Sequence, residues 1–353
     1  MLPLAAGLAI TGAAATAHAQ STFATKLQVY ADDDHTQVVS PMVDAEVDVD
    51  DRTHVDAGYV ADVVSSASID VVTQASAITI HDTRHQANLG GWRLVGGWKL
   101  SGGYTFSTEN DYRSHSISGG FERDLNDKDS TVSLTYALTM NDVGRAGDRN
   151  FSRGLTVHDL SAAWTQVIDR HTVAQLSDTL GLADGFQASP YRFVPVVDGG
   201  GMPMFWVPET DPNLRVRNAA VIALNRHVGG DASLQADYRF YVDSWGLVSH
   251  TIGTRAFVNL TPHLELRLRN RIYTQTKTRF YQKQYVDVRP SMTMDRELSA
   301  LWSETFGAKL MYALTDRLEA ELKLDLFYYH YFDFIPLTER LGTNAGLGLT
   351  LTY

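Results

Sequence analysis

Between Ser233 and Arg279 the chain alternates apolar and polar residues almost without a break. Leu234, Ala236, Tyr238, Phe240 and Val242 share one parity, and Gln235, Asp237, Arg239, Tyr241 and Asp243 the other. Leu264, Leu266, Leu268 and Ile272 then alternate with Glu265, Arg267, Arg269, Arg271, Gln275, Lys277 and Arg279. Side chains on a strand point to opposite faces with period two, so each stretch has one apolar and one charged face. The pattern recurs along most of the chain in segments of about ten residues or more. That is the signature of strands with lipid on one side and a polar lumen on the other.

The composition agrees. The 353 residues are 20% charged, and beyond the N-terminus no run approaches the ~18 apolar residues of a membrane helix. A helical membrane protein is excluded; a barrel is not, because half its residues face water. With no cysteine, disulfide scaffolds, thiolate zinc sites, haem attachment and cysteine nucleophiles are excluded. A net charge of -11 argues against nucleic acid. Met1–Ala19 has an apolar, small-residue run followed by Ala17-His18-Ala19, a signal-peptide cleavage pattern without a basic leader. The expectation is a cleaved signal peptide over 1–19 and a barrel over 20–353, placed in the bacterial outer membrane among its lipids.

Alternation and turn residues predict an all-β, antiparallel up-and-down transmembrane barrel. Sixteen strands run from Ala24–Tyr30 to Gly342–Tyr353, with both termini periplasmic. Fourteen is the alternative, if the first segment and a Gly-rich hairpin near Gly90 fail to form. Short polar turns, such as Asp50-Asp51-Arg52 and Gly229-Gly230-Asp231, fall on the periplasmic side. The strand predicted over His263–Arg279 is followed by a loop and then by Leu298–Tyr312. Leu347, Leu349, Leu351 and Tyr353 share a face of the last strand, and the terminal aromatic suits the barrel assembly machinery. Trp98, Trp245, Tyr312, Tyr328 and Tyr331 lie near strand ends, as interfacial girdles do.

The predicted lumen has two walls. Asp44, Glu46, Asp48, Asp56 and Asp62 face inward as an acidic wall. Arg215, Arg217, Arg239, Arg255, Arg267, Arg269 and Arg271 face inward from four later strands. Opposed across a pore, they set a transverse field; alternatively, ion-pair ladders fill the interior. The longest connection carries Tyr191, Arg192, Met204, Phe205 and Trp206, with Gly199-Gly200-Gly201 as a hinge. It constricts the lumen, packs as an outer hairpin on neighbouring loops, or binds a ligand at the rim.

No metal, cofactor or enzyme is expected. Asp32-Asp33-Asp34-His35 reads as a solvated acidic tip without Ca²⁺-loop spacing. His81, Asp82 and His85 lack ligand geometry on a strand. His115 with Ser114 and Ser116, and His250 with Ser249 and Asp243, supply the residue types of a hydrolase, but geometry defines a triad.

From Ser189 onward the wording is family-specific: Ser189–Arg192, then Pro212, Arg215, Arg217 and Ala219, then Tyr238–Tyr241, Asp243, Trp245-Gly246 and Ser249-His250-Thr251, then Arg271, Tyr273 and Gln275. Upstream, Ala61–Ser68, Ser107, Glu109, Asp111-Tyr112 and Ser114 fit as well, with a departure at Ser66. The chain resembles the bacterial family catalogued as domain of unknown function 3570. The resemblance implies an outer-membrane barrel without assigned activity, and a periplasmic lipoprotein or redox partner. Two functions follow as expectations. One is a porin-like channel for small hydrophilic solutes or ions. The other is a non-enzymatic scaffold with a filled lumen. The sequence leaves the oligomeric state open.

Overall fold

The computed structural model describes residues 21–66 and 80–353. The expected signal peptide, and most of the outer loop expected over Ser65–Ile80, lie outside the described residues. The strands are β1 (Ser21–Asp32), β2 (Thr36–Asp50), β3 (Thr53–Ser66), β4 (Ile80–Val95), β5 (Trp98–Thr108), β6 (Tyr112–Leu125), β7 (Ser130–Val143), β8 (Arg153–Asp169) and β9 (Thr172–Gly185). A short hairpin follows, β10 (Phe193–Val197) and β11 (Pro203–Pro208). Then come β12 (Leu214–Gly229), β13 (Ala232–Asp243), β14 (Val248–Thr261), β15 (Leu264–Gln275), β16 (Leu301–Thr315), β17 (Leu318–Tyr331) and β18 (Glu339–Thr352).

Sixteen strands, all but β10 and β11, close into one barrel in which sequence neighbours pair and β1 pairs with β18. The pairing is antiparallel throughout. The fourteen-strand alternative fails because Ser21–Asp32 pairs on both sides and the Gly90 hairpin forms with Gly90 opposite Gly103. At the seam Leu27 meets Leu347 and Lys26 meets Gly348. Beyond it, the Ser21 amide donates to the Tyr353 carbonyl at 2.8 Å, and the Tyr353 amide returns to Ser21 at 3.0 Å.

One parity of each strand is apolar and exposed. Leu27, Val43, Tyr59, Leu89, Tyr104, Ile117, Leu160, Ile222, Leu268, Leu322 and Leu347 all lie on the outer face. Exposure of large apolar groups around a closed wall is what a lipid-facing surface requires. The opposite parity carries the ion-paired charges of the wall, while Arg113, Asp142, Asp178 and Glu304 lie on the outer parity. Ser21, Tyr353 and the two-residue turns share one end, which we call the turn end; the long connections share the other, the loop end.

Three details differ from the sequence expectation. First, β15 ends at Gln275 rather than Arg279. Lys277 leaves the wall and pairs with Asp333 at 3.1 Å. Second, β16 starts at Leu301, because Asp295 caps a short 3-10 turn over Arg296–Leu298. Third, Trp245 and Tyr331 are 4% and 1% exposed, so they are packed under loops instead of forming a girdle. Trp245 Nε1 donates to the Leu214 carbonyl at 3.0 Å, and the Arg215 guanidinium lies 4.2 Å from its ring centroid.

Gly185 ends β9 with φ +127°, where an added Cβ would lie 2.2 Å from the Gly154 carbonyl oxygen and 2.8 Å from Leu155 Cα. Both the left-handed backbone and the contact with β8 backbone demand glycine. Gly185→Ala should therefore destabilise the refolded barrel by about 1–3 kcal/mol. The check is the urea midpoint in micelles, which should fall at unchanged slope.

Candidate functional site

The inward parity forms a network of ion pairs. Arg269 Nε meets Asp325 at 2.9 Å, Arg255 meets Asp237 at 3.3 Å and Arg217 meets Asp159 at 3.2 Å. Arg215 holds Asp243 through Nε at 2.8 Å. Lys309 and Lys26 flank Glu321 at 2.5 and 3.7 Å. Asp243 is the most enclosed of these groups: it also accepts from the Tyr241 hydroxyl at 2.9 Å and the Leu247 amide at 3.0 Å. Removing one partner of such a buried pair costs about 3–5 kcal/mol, so these arginines brace the wall.

The network does not absorb every charge. On the basic wall, Arg239, Arg267 and Arg271 form no ion pair among the described residues; Arg271 lies 5.1 Å from the Tyr273 ring centroid. On the acidic wall, Asp62 is held by Arg84 and by the Ser40 hydroxyl at 2.5 Å, and Asp48 contacts His54 Nδ1 at 2.8 Å. Asp44, Glu46 and Asp56 form no ion pair among the described residues. Glu46 stands opposite Asp56, and Asp44 opposite Gly58. In the ring order, β2 and β3 lie half a circumference from β12 and β13, with β14 and β15 next to those. Three unpaired carboxylates on β2 and β3 therefore stand across the barrel from Arg239 on β13, with unpaired Arg267 and Arg271 five to six strands away on β15. Asp44 and Glu46 are solvent-exposed although they point inward.

A gap in the wall's side chains lies beside the carboxylates. Gly90, Gly91, Gly102, Gly103, Gly119 and Gly120 form a contiguous patch over β4, β5 and β6. The recess against it is lined by Asp56, Gln86, Asn88, Trp92, Ser101 and Ser118. Period-two reasoning gave the acidic wall but not this recess, which depends on the glycines falling in register across three strands.

The long connection does not stand alone. β10 and β11 pair with each other, and Val196 bridges to Tyr285 in the β15–β16 loop. Val194, Val196, Tyr285, Met292 and Met294 form a small buried core there, with Val207 against it. Arg192 ties the two loops through Glu209 at 3.1 Å and Asp295 at 2.7 Å. The Tyr191 hydroxyl accepts from the Ala146 amide at 2.6 Å. Met204, Phe205 and Trp206 remain exposed. The β1–β2 tip joins the same body, since Asp34 pairs with Arg296 and is 5% exposed, and the Asp33 carboxylate accepts from the Leu341 amide at 2.9 Å. The acidic tip is thus a docking point and not a solvated one. Asp333 receives Lys283 at 2.9 Å. Together these contacts tie loop-end connections from β9 round to β2, about half of the ring order.

The hydrolase-like residue sets are separated by the strand itself. His115 and His250 lie on the outer face, while Ser249 and Asp243 point inward. His85 is outward and Asp82 inward; Asp82 lies instead with Glu109 and Asp111, their carboxylate oxygens within 4.8 Å of one another.

Asp211 in the loop body has one carboxylate oxygen buried without a hydrogen-bond partner. Burial, with Glu209 and Asp295 nearby, raises its pKa from 3.8 to about 8. Burial also raises Glu209, against the pull of Arg192. A folded-state carboxyl raised this way holds a proton that the unfolded segment releases, so the loop body loses stability as pH climbs from about 4 to 8. Hydrogen-exchange protection of the Val197 amide, which donates to Tyr285, should fall between pH 6 and pH 9 after correction for intrinsic rates. Asp211→Asn should remove that fall; a flat wild-type profile would contradict the assignment.

The barrel has fold relatives. A bacterial polysaccharide outer-membrane secretin aligns with a TM-score of 0.54 at 8% identity, over 95% of this chain and 98% of its own. CdiB from Acinetobacter baumannii aligns at 0.52 and 10% identity, over 94% of this chain and 60% of its own. These likenesses establish an outer-membrane β-barrel fold. A search of curated proteins finds no match. The family model "Protein of unknown function (DUF3570)" matches residues 73–159 and 152–333, and the chain belongs to that family.

Proposed function

We propose that the protein is a porin-like channel of the bacterial outer membrane, passing small hydrophilic solutes or ions through its charged lumen. The observation that carries this reading is the solvent exposure of inward-facing Asp44 and Glu46, opposite guanidiniums that have no carboxylate partner. A filled interior would pair or bury such groups, because an unpaired charge in a dry site is costly. Sixteen-stranded barrels are wide enough to leave an aqueous path. The carboxylate and guanidinium walls would orient dipolar solutes and set ion preference. The mechanism is non-enzymatic: the wall binds and steers, and no bond is made. The turn end faces the periplasm, the surrounding lipids are its solvent, and the barrel assembly machinery closes the seam.

A second reading is favoured by the interlocked loop body at the loop end. There the barrel is a scaffold, closed by its own loops and working with a periplasmic lipoprotein or redox partner.

Planar-bilayer recording separates the two. Wild type should show steady conductance. Arg239→Ala/Arg267→Ala/Arg271→Ala should shift the reversal potential toward cations, and Asp44→Asn/Glu46→Gln/Asp56→Asn toward anions, each changing the permeability ratio severalfold. Silence in all three would overturn the channel reading and favour the scaffold.

A further inference from the structure

The outer face carries a repeat that the apolar pattern does not require. Tyr59 pairs through its hydroxyl with His85 Nδ1 at 2.7 Å. Tyr104 does the same with His115 at 2.7 Å, Tyr136 with His158 at 2.6 Å and Tyr238 with His250 at 2.7 Å. Each Tyr lies on an ascending strand and its His one diagonal step toward the loop end on the next strand: Tyr104 is opposite Ile117, and His115 opposite Phe106. The other three pairs keep the same offset. With the phenol donating to Nδ1, the ring proton sits on Nε2, which has no partner among the described residues.

The height of these rings follows from the strand. On β4, β6 and β8 the outward apolar positions begin at the turn end with exposed Val95, Leu125 and Ile168, ten residues along the strand from His85, His115 and His158. At about 3.3 Å per residue and a tilt of about 40° that distance rises about 25 Å, the height of a barrel's apolar band. Each His therefore stands at the loop-side edge of that band, where lipid tails give way to headgroups.

Above His115 and His158 the edge turns basic. Arg113 and Arg149 are exposed and form no ion pair among the described residues. Arg145 and Arg153 flank Phe151, at 4.5 and 4.9 Å from its ring centroid. Acids also lie at this edge. Asp148 contacts Arg145 at 3.8 Å, Asp142 stands opposite Arg113 without closing an ion pair, and exposed Asp184 stands opposite Thr156, one diagonal step from His158.

We propose that the β6–β8 face is a binding site for an anionic lipid of the loop-side leaflet, whose phosphoryl headgroup is held by Arg113, Arg149 and the Nε2–H groups of His115 and His158. Charge decides the occupant. A neutral lipid needs no guanidinium at this edge, whereas a phosphate accepts from several cationic donors at once. The Tyr partners fix the imidazoles in one orientation, so little side-chain freedom remains to be lost on binding. This inference does not depend on whether the lumen conducts.

The test is native mass spectrometry of the refolded barrel titrated in detergent with diphosphoryl lipid A and, separately, with its dephosphorylated form. Wild type should retain the phosphorylated lipid and not the other. Arg113→Gln/Arg149→Gln and His115→Phe/His158→Phe should each weaken retention, on the order of tenfold for a lost charge-assisted contact. If the histidine variant fails to fold, shown by loss of heat-modifiable mobility, the arginine variant decides alone. Equal retention of both lipids, or wild-type retention by the arginine variant, overturns the site. A variant that alters oligomer mass but not lipid retention assigns the face to a second copy and also overturns it.

Discussion

A backbone amide facing hydrocarbon must find its partner inside the protein, because no water is there to receive it. For a sheet this leaves closure as the solution. In this chain closure rests on the β1–β18 seam, where the first and last strands pair from Thr22–Thr352 to Asp32–Gly342. Once the seam exists, the period-two pattern has a single consistent meaning. Leucine, valine and tyrosine meet lipid, and every charged residue of the opposite parity is delivered to one enclosed volume. The lumen chemistry is thus a consequence of closure.

Within that volume two demands compete. The wall must be held in shape, and Arg215–Asp243, Arg269–Asp325 and Lys309–Glu321 do so by pairing neighbours across strands. A pathway needs charges left over, and Arg239, Arg267, Arg271, Asp44, Glu46 and Asp56 are the remainder. The same division appears in the loops. Arg192, Glu209 and Asp295 lock two connections together, and Asp211 is left buried without a full set of partners. The loop body accordingly holds the carboxyls, Glu209 and Asp211, that burial raises.

Much of this was legible in the sequence, for a physical reason. Period-two alternation is local, so the inward parity of Arg267, Arg269 and Arg271, and of Asp44 and Glu46, follows from the residues themselves. What depends on contacts between distant segments was not legible. The docking of Asp34 on Arg296 joins residues far apart in the chain. It turns a run that looks solvated into a buried one. Trp245 and Tyr331 sit at strand ends as a girdle would, yet loops cover them. Lys277 keeps the alternation of β15 in sequence, but the strand ends at Gln275 and the side chain turns to Asp333. The Tyr–His belt was hidden because each tyrosine and histidine looks unremarkable alone; only register aligns them.

Water should reach two oppositely charged walls, and the absence of native cysteine makes that measurable. Single cysteines placed at inward Met42 and Val221, both part-buried, and at outward Val43 and Leu268, would be reacted in liposomes with small cationic and anionic thiol reagents. The expected result is fast reaction at the two inward positions only, the cationic reagent favoured at 42 beside the carboxylates and the anionic one at 221 opposite Arg239. Inward cysteines as unreactive as the outward ones, or indifferent to reagent charge, would contradict a hydrated, charge-divided lumen.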